Sequence, residues 1–256
     1  VQAEKQGYDI TFINAHFENR EMSYYEHCKY RNFEGVAIVC ADFNDPRVIE
    51  LMNSDLPVVT IDYVYHNCTA VSSNNIQGME DLVKFIYEQG HRRIAYIHGQ
   101  IGSAVTKDRL ASFYRTMAEL GIEVPDEYIR TADYLETKEA ARQTKKLLNM
   151  ENPPTCIIYP DDTALIGGRN AIMEMGLRIP KDISVAGYDG TRMSQLLHPK
   201  LTTIQQDTER IGEEAAKRLI DLIEKPKTTL IERVVVEGIL VPGQSVGKLS
   251  EPKKLS

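Results

Sequence analysis

The chain has 256 residues, 42% apolar and 26% charged, ordinary values for a globular protein with room for one or two domains. Its net charge of −7 makes it a poor match for a phosphate backbone, so a DNA-reading part would have to lie outside it. No run of about 18 apolar residues is present to cross a membrane, and no charged segment followed by an apolar one opens the chain as a secretion signal.

In chain order, short runs rich in β-branched or aromatic residues alternate with helical patterns. Residues 8–15, 36–41 and 57–62 are expected as strands, with polar helical segments at 20–30 and 46–53 between them. A short strand near 70–72 precedes a helix starting near Asn75. Its apolar residues Met79, Leu82, Val83 and Ile86 share a face, and Gly90 stops it. A strand at 93–98, a helix at 106–120, a strand at 156–159, a helix at 163–175 and a strand at 183–186 repeat the pattern. A late helix (207–224) and a strand (233–240) complete it. Strand and helix in this rhythm predict a doubly wound α/β class with parallel sheets and right-handed crossovers.

The four cysteines (28, 40, 68 and 156) are widely spaced without a CxxC pair, which reads as reduced thiols; their even number leaves a disulfide reading open. Asn67-Cys-Thr69 is treated as a chance glycosylation match.

Several carboxylates are expected at strand ends, where open α/β sheets bind ligands. Asp62 ends one strand, Asp161 and Asp162 another, and Asp189 a third, after Gly187-Tyr188. Lys107 and Arg109 are expected in the first turn of the helix after strand 93–98. There a cation opposes the macrodipole, so it calls for a partner. Guanidinium and carboxylate facing one another suit a polyhydroxyl ligand, since one donates and the other accepts in pairs. An Arg109–Asp189 ion pair that only latches the fold is the alternative.

Enzymatic patterns fail. Residues 99–107 lack the order of a phosphate loop, no GxGxxG follows the first strand, and neither GxSxG nor HExxH occurs. His91 is expected as a helix-capping side chain, and His98 as a structural histidine. Tyr24, Tyr25 and Tyr30, and Met150, Met173 and Met175, read as packing residues.

Six segments carry a resemblance. They are Val71-Ser-Ser-Asn-Asn75, Gly90-His-Arg-Arg-Ile-Ala-Tyr-Ile97, Thr106-Lys-Asp-Arg-Leu110, Tyr159-Pro-Asp-Asp162, Gly176 through Asp189, and Leu201-Thr-Thr-Ile-Gln-Gln206. Together they resemble the effector-binding core of the LacI/GalR family of bacterial transcription regulators. Two departures stand out: Asn74 occupies an acidic slot, and Asp161 replaces an amide.

The resemblance implies two periplasmic-binding-protein-like lobes (residues 1–72 with 207–236, and 73–206 with 237–246), a ligand cleft between them and a loose tail at 247–256. It implies ligand contacts at Arg109 and Asp189, with Asp161, Asp62, Gln206 and Lys107 as further candidates. It also implies a small-molecule effector (a sugar or sugar derivative), no cofactor, a homodimer, a cytoplasmic location, and operator DNA bound through an N-terminal helix-turn-helix absent here. The first strand of the effector domain is expected to be missing too, leaving the first lobe's sheet incomplete. An exported sugar-binding protein of a transport system, which shares this fold, is the alternative.

Overall fold

The computed structural model describes residues 2–13 and 22–249. The chain divides into two compact units, Val1–Ser73 with Asp207–Val236, and Asn74–Gln206 with Glu237–Ser256. In unit 1 the order is α1 (Gln2–Lys5), α2 (Tyr24–Tyr30), β1 (Val36–Ile38), α3 (Pro46–Met52), β2 (Val58–Ile61) and β3 (Thr69–Ser73). Unit 2 follows with α4 (Asn75–Glu88), β4 (Ile94–His98), α5 (Ala104–Glu119), β5 (Ile129–Thr131), α6 (Thr137–Leu148), β6 (Cys156–Ile158), α7 (Asp162–Glu174), β7 (Ser184–Ala186), α8 (Arg192–Leu196) and β8 (Thr203–Gln205). The chain then supplies unit 1 with α9 (Thr208–Glu224) and β9 (Arg233–Val236), and unit 2 with β10 (Ile239–Val241).

Each unit has a four-stranded parallel sheet, ordered β1-β2-β3-β9 and β5-β4-β6-β7, and β10 pairs antiparallel with β8. Helices flank parallel strands because the crossover that joins such strands must pass over a face of the sheet. The class is the α/β periplasmic-binding-protein-like architecture expected.

Local chemistry sets the element ends. The Asn74 side chain caps α4 by accepting from the Gln77 amide at 3.0 Å. Met79, Leu82, Val83 and Ile86 are fully buried along one side of that helix, and Gly90 ends it at φ 93°. Helix α9 turns Ile211 and Ala215 onto Val59, Val71 and Val236 of the unit 1 sheet. Between α6 and α7 the backbones touch: a Cβ at Gly167 would fall 1.9 Å from the Thr137 carbonyl oxygen, so only glycine fits.

Several expectations are corrected. Residues 8–13 form no strand, and Ile10 and Phe12 are 56% and 92% exposed; residues 14 and 15 lie outside the described residues. The helix expected from residue 20 begins at Tyr24, where Ser23 and Glu26 form a reciprocal capping box; residues 20 and 21 are outside the described set. Strand β1 stops at Ile38 because Cys40 takes φ 50°. The run 233–240 splits at Glu237 and Gly238 into two strands serving different sheets. Helix α6 and strand β5 were not anticipated.

Residues 247–249 of the expected loose tail are held in place. Gly247 donates its amide to Ser184 Oγ at 3.0 Å and Leu249 donates to the Gln89 carbonyl at 2.8 Å; residues 250–256 lie outside the described residues. His91 is no helix cap: Nε2 lies 3.0 Å from the Gly247 carbonyl and Nδ1 2.9 Å from Thr155 Oγ1, pinning this C-terminal segment. Its burial lowers its pKa. His98 bonds to the Gly99 carbonyl at 2.7 Å and to Thr131, a structural role. All four cysteines are free thiols, and burial raises the Cys68 thiol to about 11.

Candidate functional site

The candidate site lies on unit 2, at the carboxyl edge of its parallel sheet, where helix N-termini and strand-end loops meet. Arg109 comes from α5 after β4, Asp161 and Asp162 from the start of α7 after β6, and Asp189 from the loop after β7. Gln206 follows β8 and Asn75 opens α4.

Arg109 is the buried centre, 3% exposed. Its Nε donates to Asn75 Oδ1 at 2.8 Å and its Nη1 to the Pro160 carbonyl at 2.9 Å. The guanidinium carbon lies 3.4 Å from the centroid of the Tyr188 ring, a desolvated cation–π contact worth about 2 kcal/mol. Burial opposes the charge, but Tyr188, Tyr134 and Asp189 together outweigh it and hold the pKa above the ordinary value. Nη2 faces Asp189 Oδ1 at 3.7 Å, within ion-pair range but beyond a hydrogen bond.

Asp189 is 30% exposed and sits at φ 95°, a backbone region costly for any residue with a Cβ. Gln206 holds it from both ends: the Gln206 amide donates to the Asp189 carbonyl at 3.2 Å, and Nε2 donates to Oδ1 at 2.5 Å. Next to it, Gly190 has φ 65°, and a Cβ there would fall 2.4 Å from Gln205. The tight turn that carries Asp189 therefore needs glycine at its far side.

The other predicted residues of unit 2, Asp161 and Lys107, are placed differently. Asp161 is 1% exposed and its carboxylate is committed to the backbone: Oδ1 accepts from Ala164, capping α7, and Oδ2 accepts from Leu135, both at 2.8 Å. Lys107 is exposed on α5; two residues from the buried Arg109, it points off that residue's face. Helix α5 also begins at Ala104 rather than 106, which puts Arg109 in the second turn and weakens the expected dipole opposition. Asp62 belongs to unit 1, directly after β2, at φ 59° with its Oδ1 accepting from the Ser73 amide at 3.2 Å. The structure thus joins Arg109, Asp189 and Gln206, and adds three partners that sequence reasoning missed: Asn75, Tyr188 and the Pro160 carbonyl. Asn75 lay inside the Val71–Asn75 motif, and its place at the start of α4 was its signal.

Among the described residues no cluster of three or more His, Cys, Asp or Glu side chains could hold a metal, and no helix is long and apolar enough to cross a membrane.

Residues 83–246 match the periplasmic binding protein-like domain family. The chain is 31% identical over 242 residues to the HTH-type transcriptional repressor PurR of Erwinia tasmaniensis, an alignment covering 89% of this chain and 71% of that protein. It superposes on a LacI transcriptional regulator from a Rhodococcus species with TM-score 0.84 at 25% identity, over 96% of this chain and 90% of that one. A LacI family regulator from Enterococcus faecium with bound ribose shares the fold, with TM-score 0.84, 22% identity, and coverage of 97% of this chain and 91% of that one. With the family model matching residues 83–246 and a repressor relative at 31% identity, the chain belongs to the LacI/GalR family of transcription regulators, as its periplasmic-binding-protein-like effector domain.

Proposed function

We propose that this chain senses a sugar or sugar derivative through Arg109 and Asp189, and through them modulates operator binding by a cytoplasmic repressor dimer. The observation that carries the reading is the 3.7 Å separation of Arg109 Nη2 and Asp189 Oδ1. The guanidinium is buried and fixed by Asn75 and Pro160, whereas the carboxylate is partly exposed and held at a costly φ. A sugar hydroxyl can donate to the carboxylate while its oxygen accepts from the guanidinium, so the pair recognises a hydroxyl by both of its functions. Ribose in the Enterococcus faecium regulator supports this chemistry for a neighbour of the same fold. Gln206 positions Asp189 in this reading, and Asp161 shapes the loop around it rather than meeting ligand.

Sensing becomes regulation only through differential affinity. The ligand must favour one conformation of the dimer over another, typically by 1–3 kcal/mol of coupling. Two-fold operators pair with two-fold dimers, and DNA contact falls to a helix-turn-helix outside this acidic chain.

A thermal-shift screen against mono- and disaccharides, sugar phosphates and purines tests the reading. A ligand at about 100 times its Kd adds roughly 2.7 kcal/mol, a rise of a few degrees in Tm. The expected result is a selective rise with sugars that Asp189→Ala abolishes; a rise that survives Asp189→Ala removes Asp189 from the site.

A further inference from the structure

We propose that Asp162 is the positioning residue for Asp189, clamping the 188–191 turn so that its carboxylate is presented to Arg109; the inference rests on the reading of Asp189 as a ligand contact. Asp162 reaches the turn at both ends. Its amide donates to the Tyr188 carbonyl at 2.9 Å, and its Oδ2 accepts from the Thr191 amide at 2.7 Å and the Thr191 hydroxyl at 3.2 Å. Its Oδ1 accepts from Thr203 Oγ1 at 2.8 Å, and that oxygen accepts the Gly190 amide at 3.2 Å. Tyr188 and Thr191 are thus tied to Asp162 directly and Gly190 through one hydroxyl, leaving Asp189 suspended between them at φ 95°. Gln206 closes the frame from the other side.

The clamp is responsive to pH as well as rigid. Asp162 is 2% exposed, and burial pushes its pKa up to about 6 against the hydrogen bonds of Thr203 and Thr191. Among the groups packed on it from α7, β8 and the turn, Asp189 is the charged one that bears on it, and its charge pushes the same way. When Asp162 takes a proton, one oxygen turns from acceptor to donor. The Thr203 and Thr191 hydroxyls can accept that proton's bond, but the Thr191 amide cannot; through Thr203 Oγ1 the change reaches Gly190 and the neighbouring Asp189.

The test follows the ¹⁵N-labelled chain, with no ligand, from about pH 5 to about pH 7.5, a window around the usual histidine range. The Gln206 side-chain amide reports the place of Asp189, and exchange of the Thr191 amide reports the clamp. In the wild type the Gln206 signals are expected to move through a step near pH 6; Asp162→Asn should abolish the step and speed Thr191 exchange roughly tenfold. Thr203→Val, which removes only the relay hydroxyl, should shrink the Gln206 step while preserving the fold. Asp189→Asn should shift Gln206 yet leave Thr191 exchange unchanged. A Gln206 profile identical in wild type and Asp162→Asn overturns the proposal, as does Thr191 exchange that responds to Asp189→Asn instead. Ribose titrations of the same samples keep the two readings apart: failure to bind ribose counts against a pentose at the site, whereas the spectra judge the clamp without it.

Discussion

The two units are built on one plan and finished to different standards. In unit 2 the sheet is packed on both faces by fully buried side chains: Met79, Leu82, Ile86, Phe113 and Met117 with Tyr96 on one, and Tyr159, Leu165, Ile172 and Leu147 with Ile97 on the other. In unit 1 the smaller clusters around Val48, Leu51 and Met52, and around Val59, Val71 and Ile211, are fringed by half-buried aromatics such as Tyr24, Phe43 and Tyr63. Among the described residues, Met52 alone of the twelve largest fully buried side chains belongs to unit 1. Burial on this scale dominates folding energy, so unit 2, which carries Arg109 and Asp189, is expected to be the more stable platform and unit 1 to open first.

The same substitution in each unit exposes the contrast most strongly. Leu82 is 0% exposed and Leu51 3%, so the chemistry lost on truncation is the same. What differs is how far the surroundings can collapse. Leu82→Ala should cost about 4–5 kcal/mol and Leu51→Ala about 2–3, the two ends of the range for such changes, because half-buried neighbours can move into the space left in unit 1. Urea melts read at probes in each unit measure both; equal costs would remove the contrast. A thermal scan with two steps, the first from unit 1, agrees with it, and one sharp, high transition does not.

A pH series comes next in size, and the buried carboxylate it reads, Asp162, belongs to unit 2. Asp162 has its pKa raised from 3.8 to about 6, so between those values the folded state holds a proton that the unfolded state has released. By linkage, this group's contribution is fully present below about pH 4 and is lost as pH rises to about 6, a change of roughly 3 kcal/mol at most. Surface carboxylates such as Glu80 and Asp182, lowered by their partners Lys84 and Arg178, work in the opposite direction. The difference between wild type and Asp162→Asn isolates the buried group: the variant's unit 2 stability should fall less between about pH 4 and pH 6. A constant difference between the two across that window would contradict the raised pKa.

Much of unit 2 was legible in the sequence, because its helices bury apolar residues at helical spacing and end on glycines. Helix α4, with Met79, Leu82, Val83, Ile86 and Gly90, is the clear case. Helix α6 was not legible: its buried face is Ala140, Gln143, Thr144 and Leu147, two of them polar, so the apolar period never shows. Residues 8–15 carry β-prone residues in a strand-like pattern, but a strand exists only where a neighbour accepts its hydrogen bonds, and residues 8–13 have no ladder. At the site, the motifs pointed to Arg109, Asp189 and Gln206, whereas spacing could not say which carboxylates were already committed. The capping role of Asp161 was legible: an Asp just before a helical run is an N-cap, and its oxygen accepts from the Ala164 amide of that helix. Asn75 and Tyr188 pack around Arg109 only through tertiary folding, which no local pattern encodes.

Close packing in unit 2 makes a further, smaller prediction. A methyl group at Gly167 would overlap the Thr137 backbone of α6, so Gly167→Ala should push α6 and α7 apart at a cost of about 1–3 kcal/mol. The gain in helix propensity from replacing glycine, about 1 kcal/mol, offsets only part of that strain. A denaturant midpoint that rises in this variant would show that the two helices separate cheaply, and would blunt the contrast with unit 1.

The smallest effect comes from the surface of unit 1. Phe12 is 92% exposed, so almost none of its ring area leaves water on folding. Phe12→Ser should change stability by no more than about 0.5 kcal/mol, because a side chain solvated in both states contributes little to their difference. Ile10, 56% exposed, should behave alike. If Phe12→Ser instead lowered the unit 1 transition by more than about 1 kcal/mol, Phe12 would have to be buried in the folded protein in solution. Unit 1 would then be better finished than its small clusters suggest, and the expected order of opening would lose its basis.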